Sequence, residues 1–71
     1  MNLQIGMTLH GFCGGAFGRD SYATKRIEAL GPDWIIARDN EGNVHIAIFD
    51  NQAHMESFVR DWDEQGRIST D

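Results

Sequence analysis

The run from residue 34 to residue 49 constrains this chain most. Trp34-Ile35-Ile36-Ala37-Arg38 and Val44-His45-Ile46-Ala47-Ile48-Phe49 are both rich in bulky and β-branched side chains, which suit a pleated backbone. Between them, Asp39-Asn40-Glu41-Gly42-Asn43 carries turn chemistry, with Gly42 free to take a positive φ. The pattern predicts a β-hairpin. A lone hairpin is marginal in water, so other strands or a helix must cover its apolar surface.

Flanking segments supply that cover. Residues 3–10 alternate apolar and polar, which places Leu3, Ile5, Met7 and Leu9 on one face of a strand. Residues 24–30 fit two patterns. Ser21 is placed to cap a helix, Gly31-Pro32 to stop it, and Ala23, Ile27 and Leu30 fall on a helical stripe. That helix is too short to persist by itself, whereas a strand over residues 26–30 meets the strand at Trp34 through the tight Gly31-Pro32-Asp33 connection. The strand is the expectation adopted. Beyond Phe49, Asp50 or Asn51 caps a helix reaching about Glu64, with Met55, Phe58, Val59 and Trp62 on one face and Gly66 at its end.

These elements predict a mainly β, α+β fold: a small, bent antiparallel sheet resembling an SH3-like barrel, closed by one C-terminal amphipathic helix. A flatter α+β sandwich with the helix across one face is the alternative. Residues 1–66 are expected to form a single domain and residues 67–71 a loose tail.

Seventy-one residues lie near the lower limit for a self-sufficient core, which at this size supplies about 3–5 kcal/mol. Cys13 is the only cysteine, so no intrachain disulfide assists, and a reduced, cytoplasmic setting is expected. No apolar run approaches the roughly 18 residues of a membrane span, and Met1-Asn2-Leu3-Gln4 carries no basic segment of the secretory kind. Residues 1–38 hold Arg19, Lys25, Arg26 and Arg38 against Asp20, Glu28 and Asp33, a net of +1. Residues 39–71 hold eight acids against Arg60 and Arg67, a net of −6. Net acidity of this kind argues against non-specific affinity for nucleic acid.

The connection between the first two strands is unusual. Residues 11–22 combine Gly11, Gly14, Gly15 and Gly18 with Phe12, Phe17, Tyr22 and the Arg19-Asp20 pair. A loop that keeps large aromatics either folds over a core edge or presents a binding surface. Phe12, Phe17, Arg19, Asp20 and Tyr22 are therefore the candidate contact residues, an exposed sheet edge is the alternative surface, and a protein partner or a second copy is the expected occupant. An alternative is a single-strand nucleic-acid platform built from Arg19, Lys25, Arg26 and Arg38 with Phe17 and Tyr22.

Two stretches, Gly15-Ala16-Phe17-Gly18-Arg19-Asp20-Ser21-Tyr22 and the run from Lys25 through Glu28-Ala29-Leu30-Gly31-Pro32-Asp33-Trp34 to Arg38, resemble a group of small proteins of actinobacteria and their phages. Members carry a glycine-Phe-Gly-Arg-Asp-x-Tyr segment followed by a Val-Glu-Ala-Ile-Gly-x-Asp-Trp-Val-Val pattern. The likeness covers about residues 9–48. It implies a strand at residues 26–30 and a phage or host setting, and it carries over no catalytic residues.

Catalytic and metal motifs are incomplete. His10 and Cys13 have metal-like spacing, but with His45 and His54 the set contains one thiolate and no second cysteine for a closed zinc site. Cys13 lacks a strand-turn-helix elbow and an orienting third group for a nucleophilic pair. Gly14-Gly15-Ala16-Phe17-Gly18-Arg19 lacks the Gly-Lys-Ser/Thr ending of a phosphate loop and the glycine spacing of a dinucleotide fingerprint. Asp39, Glu41 and Asn43 lack the sixth-position glycine and terminal Glu of a calcium loop. The expectation is a non-catalytic module with no metal and no cofactor.

Overall fold

The computed structural model of the chain describes residues 3–18 and 22–70. Five strands form one antiparallel sheet: β1 (Thr8–Leu9), β2 (Lys25–Leu30), β3 (Trp34–Asp39), β4 (Val44–Ile48) and β5 (Ile68–Ser69). Their spatial order is β4-β3-β2-β1-β5. Among the described residues a single α-helix, α1 (Gln52–Glu64), follows β4 in the chain, and a 3₁₀ turn at Cys13–Gly15 interrupts the glycine-rich connection. The sheet is not closed among the described residues, and β4 and β5 are its edges. The observed architecture is an open α+β sheet with one helix on its inner face. Among the described residues no helix is long and apolar enough to cross a membrane.

The predicted hairpin is present, with Trp34 opposite Ile48, Ile36 opposite Ile46 and Arg38 opposite Val44. Gly42 sits at φ +87° in its turn. The segment before Gly31 is a strand. Its register against β3 shifts between Ile27 and Ala29, so Ile27 faces Ala37 while Leu30 faces Ile35. This bulge puts Ile27 and Leu30, three residues apart, on the same face. The apparent helical spacing of residues 23–30 is therefore a strand with one residue inserted.

Two expectations are corrected. The N-terminal strand spans Thr8–Leu9 rather than residues 3–10. Met7 N–H bonds Gln4 O at 3.2 Å around Gly6 at φ +95°, and this turn leaves Ile5 66% exposed while Met7 and Leu9 are buried. Residues 67–69 are not part of a loose tail, and Asp71 lies outside the described residues. Ile68 pairs with Leu9 and Ser69 with Thr8, and His10 N–H donates to Arg67 O at 2.8 Å. A two-residue edge strand of this kind is held by its neighbour, not by its own propensity, which is why its local sequence is silent.

Helix α1 starts at Asn51, whose side chain accepts the His54 N–H at 2.8 Å. Its Met55, Val59 and Trp62 are buried with Leu9, Ile27, Ile35, Ala37, Ala47 and Phe49, and Phe58 packs against the cluster half-buried. Trp62 also donates Nε1–H to Cys13 O at 3.1 Å, which ties the helix to the glycine-rich loop.

Candidate interaction surface

The candidate loop residues divide between inside and outside. Phe17 is a core residue, stacked on Trp62 at a ring-centroid distance of 6.1 Å. Phe12 is half-buried and stacks on Tyr22, at 5.0 Å and 23° between planes, with Tyr22 65% exposed. Arg19 and Asp20, like Ser21, lie outside the described residues. The backbone between Phe12 and Phe17 turns through Cys13 at φ +56°, Gly14 at +65° and Gly15 at +83°. A left-handed cysteine is uncommon, and burial of its side chain together with the Trp62 bond to its carbonyl holds it there. Burial pushes the Cys13 thiol pKa up, against a smaller opposing pull from Lys25 and Arg67. The group is a protonated thiol in the core at neutral pH.

The cations proposed for a nucleic-acid platform do not share a face. Lys25 is 1% exposed. Its Nζ lies 5.0 Å from the Phe17 ring centroid and donates to Gly11 O at 3.4 Å, with burial lowering its pKa. Alternation in β2 puts Lys25 on the same face as Ile27, a signal present in the sequence. Arg26 and Arg38 are exposed and face each other across β2 and β3 on the opposite side of the sheet. Arg38 pairs with Glu28 at 2.6 Å and donates to Gly42 O at 2.7 Å.

The histidines are held apart by separate partners. His10 Nε2 lies 2.8 Å from Ser69 Oγ, His45 Nε2 lies 2.8 Å from Asp39 Oδ2, and His54 accepts the Asp50 N–H at 3.2 Å while meeting the Phe49 and Phe58 rings edge to face. Among the described residues no three His, Cys, Asp or Glu side chains converge on a metal position.

Asp39 holds the hairpin turn together. Its Oδ1 accepts N–H bonds from Glu41 at 2.9 Å and Asn43 at 3.0 Å, and Oδ2 meets His45. The His45 hydrogen bond foremost, supported by the turn amides, brings its pKa down from 3.8 to about 2. A carboxyl depressed on folding stabilises the fold above its unfolded pKa and loses that contribution as pH falls through the folded value. In an acid titration followed by circular dichroism, Asp39→Asn is expected to be less stable than the parent at neutral pH. The difference should shrink from pH 3.8 downward and vanish near pH 2. A constant difference across that window would rule out the linkage.

The surface that sequence reading missed is the outer face of the sheet. Ile35, Ala37 and Ala47 face the helix and are fully buried, so Trp34, Ile36, Val44, Ile46 and Ile48 face the other way. Val44 is 47% exposed, Ile46 55% and Ile48 79%. Trp34, Ile36, Ile46 and Ile48, with Asp33, line a shallow depression of about 270 Å³. The Trp34 indole lies over Gly31, where any side chain would overlap it, so glycine is the residue that lets the ring settle against the β2–β3 turn. Trp34 is thus an outer-face residue and not the core anchor its size suggests. The missed signal was the near-continuous apolar run in both strands, a pattern that marks a sheet covered on both faces.

A larger groove of about 400 Å³ runs between α1 and the β2–β3 turn, from Leu30 and Pro32 to Met55 and Val59. Its rim is polar, with Gln52, Glu56, Arg60 and Asp63.

The fold and this surface define a small open-sheet α+β protein with one helix-covered face and one apolar exposed face. No family model, curated protein or solved structure matches the chain.

Proposed function

We propose that the chain is a non-catalytic protein-binding module whose contact surface is the outer sheet face centred on Trp34, Ile36, Ile46 and Ile48. One observation carries this reading: the sheet has two apolar faces and the described chain has one helix, which covers only one of them. An apolar centre containing a tryptophan, bordered by Arg26, Glu28 and Arg38, has the composition of an interface core with a charged rim. The Phe12–Tyr22 stack is a second, smaller exposed aromatic feature. The likeness to phage and actinobacterial sequences extends the reading to a phage or host-interaction setting. Non-catalytic action accords with a core-buried thiol and histidines engaged in separate structural contacts.

A pull-down comparing two exposed-site variants tests it. Ile48→Glu changes a side chain 79% exposed and should stay within about 0.5 kcal/mol of the parent in stability, while Tyr22→Ala changes one 65% exposed and loses the Phe12 stack at about 0.5–1.5 kcal/mol, so both should fold. Retention of protein by the parent and by Tyr22→Ala, with loss in Ile48→Glu, is the expected result. Loss in Tyr22→Ala with retention in Ile48→Glu would move the contact surface to the glycine-rich loop.

A further inference from the structure

Resting on that reading, we infer that the partner is a second copy of this chain, joined through the free edge of β4 so that one sheet runs through both molecules. The hydrogen-bond phase of β4 determines which groups are available. Asp39 N–H donates to Asn43 O at 3.0 Å and Phe49 N–H to Asp33 O at 2.8 Å. Odd-numbered residues of this strand therefore bond inward to β3, and the N–H and C=O of Val44, Ile46 and Ile48 point to the open edge. The same three residues carry the exposed apolar side chains. The two edges differ in how they are protected. β5 is blunted by its length of two residues, whereas β4 runs five residues in unbroken register with no Lys, Arg, Pro or bulge. Edge strands are normally guarded by one of those devices.

The strand also complements itself. Antiparallel pairing about a two-fold axis at Ile46 places Ile46 opposite the partner's Ile46 and Val44 opposite the partner's Ile48. Each facing pair exchanges two N–H···O bonds, and branched apolar side chains meet on the outer face. On the inner face His45 lies opposite the partner's Ala47. Further out, Gly42 lies opposite the partner's Asp50 and Glu41 opposite the partner's Asn51, so this register sets no two like charges directly across from each other despite a net charge of −5. A two-fold axis normal to the sheet keeps both helices on one side. It joins the two apolar depressions into one strip on the other side.

Sedimentation equilibrium from micromolar to millimolar concentration, paired with amide hydrogen exchange, tests the inference. The full chain should approach twice its 8.0 kDa monomer mass, and the Ile46 and Ile48 amides should exchange more slowly as concentration rises. Ile46→Pro removes an edge-facing N–H that takes no part in the β3 ladder, and should leave a folded monomer at every concentration. If its circular dichroism shows that it does not fold, Ile46→Lys does the same work. That change sets two ammonium groups face to face and should weaken association at least about tenfold. A parent chain that stays monomeric overturns the inference, as does a dimer whose Ile46 and Ile48 amides exchange at the monomer rate. Either outcome leaves the binding reading standing, because a monomer can present the same face to a different protein, and the Ile48→Glu pull-down tests that reading separately.

Discussion

Trp62→Ala is expected to leave the chain largely unfolded at 25 °C. The indole is 1% exposed and lies at the meeting point of three rings, with centroids 6.1 Å from Phe17, 6.4 Å from Phe49 and 6.1 Å from Phe58. Truncating a buried aromatic to alanine costs about 3–5 kcal/mol through lost burial and the cavity left behind. The change also removes the Nε1–H donor to Cys13 O, which keeps the Ala16 N–H at 3.3 Å, so the lost bond adds about 0.5–1.5 kcal/mol. A core of this size supplies about 3–5 kcal/mol in total, so the loss matches or exceeds what is present. Trp62→Phe keeps most of the filling and loses the donor, and should melt between the parent and the alanine variant. Thermal unfolding followed by circular dichroism decides the matter: a melting temperature for Trp62→Ala within a few degrees of the parent would show that the helix does not hold the sheet.

Ending the chain at Gly66 is expected to cost about 2–4 kcal/mol, an effect that a loose tail would not have. The deletion removes the β1–β5 pairing, the Arg67 carbonyl that accepts from His10 N–H, and the Ser69 hydroxyl 2.8 Å from His10 Nε2. It also uncovers the side of Leu9 that Ile68 packs near. Net values of about 0.5–1.5 kcal/mol for each hydrogen bond and about 1.5–3 kcal/mol for a fully buried isoleucine, reduced because Ile68 is half-buried, give that range. It would also turn β1, two residues long, into an edge strand. Urea denaturation provides the measurement, and a midpoint unchanged by the deletion would refute a structural role for β5.

The hairpin and the helix were legible because their signals are local. Gly42, the apolar runs on either side of it, the Asn51 cap and the spacing of Met55, Phe58, Val59 and Trp62 each report a conformation set within a few residues. The strand at Lys25–Leu30 was legible only through its neighbour. Its own pattern looked helical because a bulge gives Ile27 and Leu30 the three-residue spacing of a helix face. Alternation in residues 3–10 was read one turn too far, since Gly6 breaks the strand and turns Ile5 outward.

The proposed contact surface was harder to read. An apolar run in two strands states that both faces are apolar; it does not state which face the helix takes. Phe17 and Trp34 are both large aromatics, yet Phe17 packs beneath Lys25 against Trp62 and Trp34 lies on the open face over Gly31. Composition, turn chemistry and periodicity thus determined the hairpin, the helix and the α+β class. Tertiary structure alone decided that residues 68–69 form an edge strand beside His10, 59 positions away, and that β4 keeps an unguarded edge. The reason is physical: periodicity and capping depend on neighbours along the chain, whereas strand order and face coverage depend on contacts between distant segments, which leave no local pattern in the residues that make them.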